Sequence, residues 1–186
     1  SSQNPVSMTP RVISCEYSMG YQTTIEKQGL WTIFDIKGDA SAVVQRISSL
    51  GLSLPATANT KTAKGGKHLC WVGANHWILL AHGDEEGQLH ASLAPNDAGL
   101  DCRIVLVSDA YTIFTVTGNQ ADDILAIASP FDTRRTIFGD DGATYTELFG
   151  IRALVLRRPD GYIVAIERSY ADMITKYFDK VSTGSR

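Results

Sequence analysis

The pentapeptides Ile36-Lys37-Gly38-Asp39-Ala40 and Val116-Thr117-Gly118-Asn119-Gln120 stand at matching places in two halves of the chain, and their surroundings match too. Each closes a β-rich run and opens a segment whose apolar residues recur at helical spacing. In the first copy Asp39 is placed to cap a helix carrying Ala40, Val43, Val44, Ile47 and Leu50, with Gly51 as its stop and Pro55 beyond. In the second, Ala121, Ile124, Leu125 and Ala128 keep the same period before Pro130. The hairpin around Asn75-His76-Trp77 answers the one around Asp160-Gly161-Tyr162. This pattern predicts a duplicated strand-helix-hairpin-helix unit. Each copy is too small to bury its own sheet well, so two copies must share a core. Helices alternate with antiparallel hairpins, not with lone parallel strands. The expected class is therefore α+β, with two pseudo-symmetric halves near residues 30–99 and 100–181.

Strands are expected at 30–37, 68–72, 76–81, 103–107, 111–117, 151–157 and 162–167. The runs 103–107 and 111–117 read as a hairpin turning at Ser108-Asp109-Ala110. Asp84 is placed to cap a weaker helix ended by Pro95. A last helix opens at Ser169, with Asp172 in capping-box position, and buries Met173, Ile174, Tyr177 and Phe178. The inward set is Val43, Ile47, Ile124, Leu125, Ile174 and Phe178. Residues 1–29 mix Ser, Gln, Thr, Gly and Pro without periodicity. They read as a polar arm that docks on another molecule or straps its own domain as an extra strand.

With 186 residues, 44% of them hydrophobic, the chain can fill one such domain but not a cofactor domain plus a substrate domain. A formal net charge of -3 offers no electrostatic footprint for nucleic acid or an anionic membrane. Apolar runs fall well short of the roughly 20 residues that cross a bilayer, and the first residues do not read as a signal peptide. Cys15, Cys70 and Cys102 are an odd set without Cys-x-x-Cys spacing, which points to buried thiols in a reducing cytoplasm.

No nucleotide-binding glycine fingerprint, nucleophile elbow or zinc-protease helix motif is present. Gly65-Gly66-Lys67 lacks the spacing of a phosphate loop and reads as a flexible turn. His68, His76, His82 and His90 lie close in sequence without the cysteine or carboxylate partners of a metal site, and read as structural. Asp122-Asp123 suits the first turn of a helix, and Asp132 a turn. Arg134-Arg135 and Arg157-Arg158 read as solvated cations, with an ion pair to a partner as the alternative.

Gly118, the helix from Ala121 to Ala128, Pro130 followed by Asp132, Gly142-x-Thr144, the Asp160-Gly161 hairpin and Arg168-Ser169-Tyr170-Ala171 occur in an order that resembles the gamma subunit of heterotetrameric sarcosine oxidase. The likeness runs from about residue 30 to 181, with Asn119 where the family usually has proline. It implies kinship with the folate-binding half of glycine-cleavage T-proteins and a duplicated α+β fold. It further implies a non-catalytic accessory subunit of a flavoenzyme acting on N-methyl amines. FAD, FMN, NAD, tetrahydrofolate and zinc are then expected in the alpha, beta and delta partners, and no catalytic, cofactor-binding or metal-binding residue in this chain. A free-standing folate-binding one-carbon transfer protein is the alternative. A subunit of this kind acts through contacts, and the expected partner surface includes Tyr17 and Tyr21 of the arm and the cationic pair Arg134 and Arg135.

Overall fold

The computed structural model describes residues 12–13, 21–97 and 99–183. Its strands are β1 (Val12–Ile13), β2 (Thr24–Lys27), β3 (Trp31–Gly38), β4 (Lys61–Lys64), β5 (Lys67–Gly73), β6 (His76–His82), β7 (Cys102–Leu106), β8 (Tyr111–Thr117), β9 (Ala143–Leu148), β10 (Ile151–Arg158) and β11 (Gly161–Glu167). The helices are α1 (Ala40–Ile47), α2 (Glu86–Leu93), α3 (Ala121–Ala128) and α4 (Ala171–Thr183). The class is α+β. Two antiparallel sheets run β4-β5-β6-β3-β7 and β1-β2-β8-β11-β10-β9.

The sheets pack face to face between two layers of helices. Ile33, Ile78, Leu80, Leu154, Leu156 and Ile163 fill the space between them. Phe34, Ile36 and Leu79 meet Val43, Ile47, Leu89 and Leu93 of α1 and α2 on one outer side. Val116, Val155 and Val164 meet Ile124, Leu125, Ile174 and Phe178 of α3 and α4 on the other. Central strands are thus buried on both faces, which is why Ile78-Leu79-Leu80-Ala81 and Ala153-Leu154-Val155-Leu156 read as unbroken apolar runs.

The two glycines of the repeated pentapeptide do the same work. Gly38, at φ 149°, ends β3; a Cβ there would lie 2.2 Å from the Asp101 carbonyl oxygen. Gly118, at φ 117°, follows β8; a Cβ there would lie 2.5 Å from the Gln22 carbonyl oxygen. The Gly38 amide donates to the Asn75 carbonyl and the Gly118 amide to that of Asp160, both at 3.0 Å. Each glycine therefore lets a further strand start hard against the end of its own, β7 beside β3 and β2 beside β8.

Those added strands cross between the halves. β2 precedes the first half yet completes the second half's sheet, and β7 opens the second half yet completes the first half's. The expected hairpin at 103–117 is accordingly overturned: β7 pairs with β3, and β8 pairs with β11 and β2. A 3-10 turn at Ser108–Ala110 carries the chain from one sheet to the other. Ser108 fixes that turn, its hydroxyl oxygen accepting from the Ile33 amide at 3.1 Å while it donates to Glu86 at 3.1 Å.

The segment read as an arm supplies β2, with Ile25 buried, and β1 along its outer edge. Asp39 caps α1 as expected, accepting from the Ser41 amide at 3.0 Å. Asp84 does not cap α2, which starts from a 3-10 turn with no side-chain cap. The six residues expected to face inward are all buried, whereas Val44 and Tyr177 are exposed.

Candidate functional site

The expected partner residues fall on the turns around α3. Arg134 is bound to Asp132 of its own turn, Nε to Oδ1 at 2.9 Å and Nη2 to Oδ2 at 2.6 Å. Those bonds hold the Asp132 carboxyl down at about 2. Arg135 reaches Asp140 and donates to the Pro159 carbonyl at 2.9 Å. It borders a cleft of about 280 Å3 with Gly118, Asn119 and Asp160. Tyr21 is half-buried against the outer core of the six-stranded sheet. The amide of its neighbour Gln22 donates to Gln120 at the start of α3 at 2.6 Å. Tyr21 and Arg135 thus flank one turn, and Tyr17 lies outside the described residues.

Of the second arginine pair, only Arg158 behaves as a surface cation, bound to Asp160 at 3.0 Å. Arg157 is buried, which corrects the solvated reading. It donates to Asp122 Oδ1 at 3.0 Å and to the carbonyls of Phe138 and Thr133, and its guanidinium lies 4.6 Å from the centre of the Tyr162 ring. The Tyr162 hydroxyl, with one proton to give, lies within hydrogen-bond reach of both Asp122 and the Thr133 carbonyl. Burial, then the bond to Asp122, pushes the Tyr162 hydroxyl well up. The network pins the loop from 129 to 142 against β10 and β11. Two adjacent arginines in a strand point to opposite faces, so one of Arg157 and Arg158 had to turn toward a packed layer.

The histidines are spread over separate tasks. His76 Nε2 meets Asp35 at 2.7 Å, the His82 ring stacks on Trp31 at 5.3 Å, and His90 lies beside Phe34. Burial, followed by the charges of Lys61 and Arg158, lowers His68 to about 4. Among the described residues no three His, Cys, Asp or Glu side chains gather closely enough to hold a metal. Cys70 and Cys102 are buried free thiols, and burial pushes both up in pKa, away from thiolate chemistry.

Two larger clefts meet at Tyr111 and Arg168. One, of about 500 Å3, is walled by Leu30, Trp31, Ile113 and Asp172. The other, of about 420 Å3, is walled by Tyr145, Arg152 and Glu167. The Tyr111 and Tyr145 hydroxyls lie 3.0 Å apart and Arg152 sits 4.0 Å over the Tyr145 ring. Burial and the bond to Tyr111 raise Tyr145, so its hydroxyl stays protonated. These groups offer hydrogen bonds and a cationic face. They do not form a nucleophile with a base beside it.

A family model described as the sarcosine oxidase, gamma subunit family matches residues 35–184. The chain belongs to that family. No curated protein matches it by sequence. The gamma-family chain is similar in fold to the heterotetrameric sarcosine oxidase from Corynebacterium sp. U-96 in complex with pyrrole 2-carboxylate. That likeness has 17% identity over 87% of this chain and 84% of the other, and a TM-score of 0.75. It is also similar to glycine cleavage system aminomethyltransferase T from Bartonella henselae, with 14% identity and a TM-score of 0.57. There the match covers 80% of this chain but 43% of the aminomethyltransferase. Among the described residues of the gamma-family chain, no helix is long and apolar enough to cross a membrane.

Proposed function

We propose that the chain is a non-catalytic accessory subunit of a heterotetrameric sarcosine oxidase-like flavoenzyme acting on N-methyl amines. The family match over residues 35–184 carries this reading. Among the described residues the buried Arg157 and the Tyr111–Tyr145 pair are hydrogen-bonded within the fold. FAD, FMN, NAD, tetrahydrofolate and zinc then belong to alpha, beta and delta-like partners, and the assembly works in the cytoplasm. Tyr17, Tyr21, Arg134 and Arg135 are proposed as part of the partner surface. Arg134 and Arg135 are held in fixed poses by Asp132 and Asp140, so little side-chain entropy is lost when a partner meets them. Co-expression of the tagged chain with the alpha, beta and delta subunits of its source is the test. Recovery of a flavin-coloured complex that oxidises sarcosine is expected, and the purified chain alone oxidises none. Failure to recover any flavoprotein with the tagged chain would sink the reading.

A further inference from the structure

Among the described residues four strand edges bound the two sheets, those of β1, β9, β4 and β7, and they are treated unequally. The edge of β9 is tied to the β4 end of the other sheet by the Thr60–Gly142 bridge, with the Lys61 amide donating to Asp141 at 2.7 Å and the Ala143 amide to Asn59 at 3.0 Å. The outer edge of β2 is covered by β1, which leaves an open edge only two residues long among the described residues. The strand in the equivalent place of the other sheet is β7, and among the described residues no strand lies beside it.

The hydrogen-bonding sense of that open edge follows from its neighbours. The Val107 amide donates to Ile33 of β3 at 2.8 Å, and the Asp101 carbonyl accepts from Asp39 at 2.8 Å. Groups alternate along an antiparallel strand, so the odd residues of β7 face β3 while Ile104 and Leu106 present amide and carbonyl outward. The outward amide of Cys102 already donates to Gly99. The register against β3 runs without a bulge from Cys102 to Leu106, and the strand has no proline, so two common devices that blunt an edge are missing.

The side chains say what would sit there. Val105 and Leu106 are each 37% exposed. Arg103 stands directly opposite Lys37, a like-charged cross-strand pair. Lys37 is answered by Asp35 at 3.4 Å, but Arg103 has no ion pair among the described residues. A pocket of about 200 Å3 lined by Asp35, Lys37, Arg103, Val105 and Val107 lies along the edge. We infer that β7 is a docking edge on which an extended segment of another subunit adds as a sixth strand, an apolar residue packing on Val105 from one face and another on Leu106 from the other, with a carboxylate on Arg103. Backbone pairing supplies the attachment, and the unpaired Arg103 selects a strand that carries a carboxylate. This inference rests on the accessory-subunit reading.

The test uses the tagged chain co-expressed with its alpha, beta and delta subunits. Arg103→Glu reverses the unpaired charge, Val105→Lys adds a charge on the same face as Arg103, and Leu106→Pro removes an outward amide without touching a β3–β7 bond. Each variant is expected to lower the recovered complex at least about tenfold, while Arg103→Glu and Val105→Lys melt within about 2 °C of the parent as isolated chains. Those two carry the test if Leu106→Pro melts early. Recovery of complex equal to the parent's by both would overturn the docking edge and leave the accessory reading intact. If the parent recovers no partner, both fall together. If the isolated parent is a dimer that the variants make monomeric, with the complex unaffected, the occupant is a second copy and the inference is wrong.

Discussion

Arg157→Met keeps the length and apolar stem of the side chain and deletes the donors that organise the 129–142 loop. The cost depends on what is left behind. Asp122 is about half exposed, so water can take over its charge. The Phe138 carbonyl belongs to a buried residue and loses its side-chain partner, at about 1–3 kcal/mol, whereas the Thr133 carbonyl still has the Tyr162 hydroxyl within reach. Replacing a buried ion pair with apolar groups can be neutral when every partner is replaced. Here the Phe138 carbonyl is backbone that no substitution removes, so a net loss of about 2 kcal/mol is expected. For a chain of this size that lowers the melting midpoint by roughly 4–8 °C. Circular dichroism melts of the isolated chain, checked for reversibility, read the effect. Asp122→Asn should cost about 1 kcal/mol, and the double variant should show a coupling of about 1 kcal/mol or more. A midpoint for Arg157→Met within 2 °C of the parent would refute the view that this network holds the loop.

Deleting residues 1–29 removes β2 and buried Ile25 from the six-stranded sheet, so the isolated chain should melt at least about 10 °C lower or fail to fold, as a thermal scan would show. Gly38→Ala and Gly118→Ala should each destabilise by at least about 2 kcal/mol in urea titration, because a Cβ would meet backbone, whereas Gly66→Ala, with open space around it, should cost less. His68 titrates near 4 when folded and near 6.5 when unfolded, so the unfolded chain binds the extra proton between those values. Stability should therefore fall as pH drops from about 6.5 to about 4, and His68→Leu, which removes a ring whose buried Nδ1 has no hydrogen-bond partner, should flatten that slope in urea titrations across the range.

The legible parts of the fold were those with period or punctuation. α1 and α3 show an apolar stripe after a strand-ending glycine, and the Asp160-Gly161 turn marks β10 and β11. β9 was missed because it turns into β10 through Phe149-Gly150, where a hairpin more often has Asn-Gly. Phe149 accepts φ 50° there, its ring stacked 5.1 Å from Tyr177 and edge-on to Phe178 at 5.6 Å. That packing offsets a backbone conformation which local sequence preference would reject. Gly65-Gly66 reads as a turn and is one, but β4 before it does not read as a strand, since Lys61–Lys64 is a mostly polar edge. The exchange of β2 and β7 between the halves was invisible for a different reason. Both are short strands whose pairing is decided by the close approach at Gly38 and Gly118, and nothing inside either strand names its partner.

The same asymmetry governs the partner surface. Arg134-Arg135 and Arg157-Arg158 look alike as letters, yet Arg157 alone of the four is buried, because alternation on β10 turns it toward α3 while Arg158 turns the other way. Arg103 looks less notable than any of them in the sequence. It gains meaning only once the register sets it opposite Lys37 on a strand with no neighbour on its far side. A surface that binds through a strand edge leaves little composition signal, since much of the attachment comes from backbone that every sequence possesses. What distinguishes β7 is a five-residue edge with no neighbour among the described residues, and that can be seen only after the partners of the other edges are known.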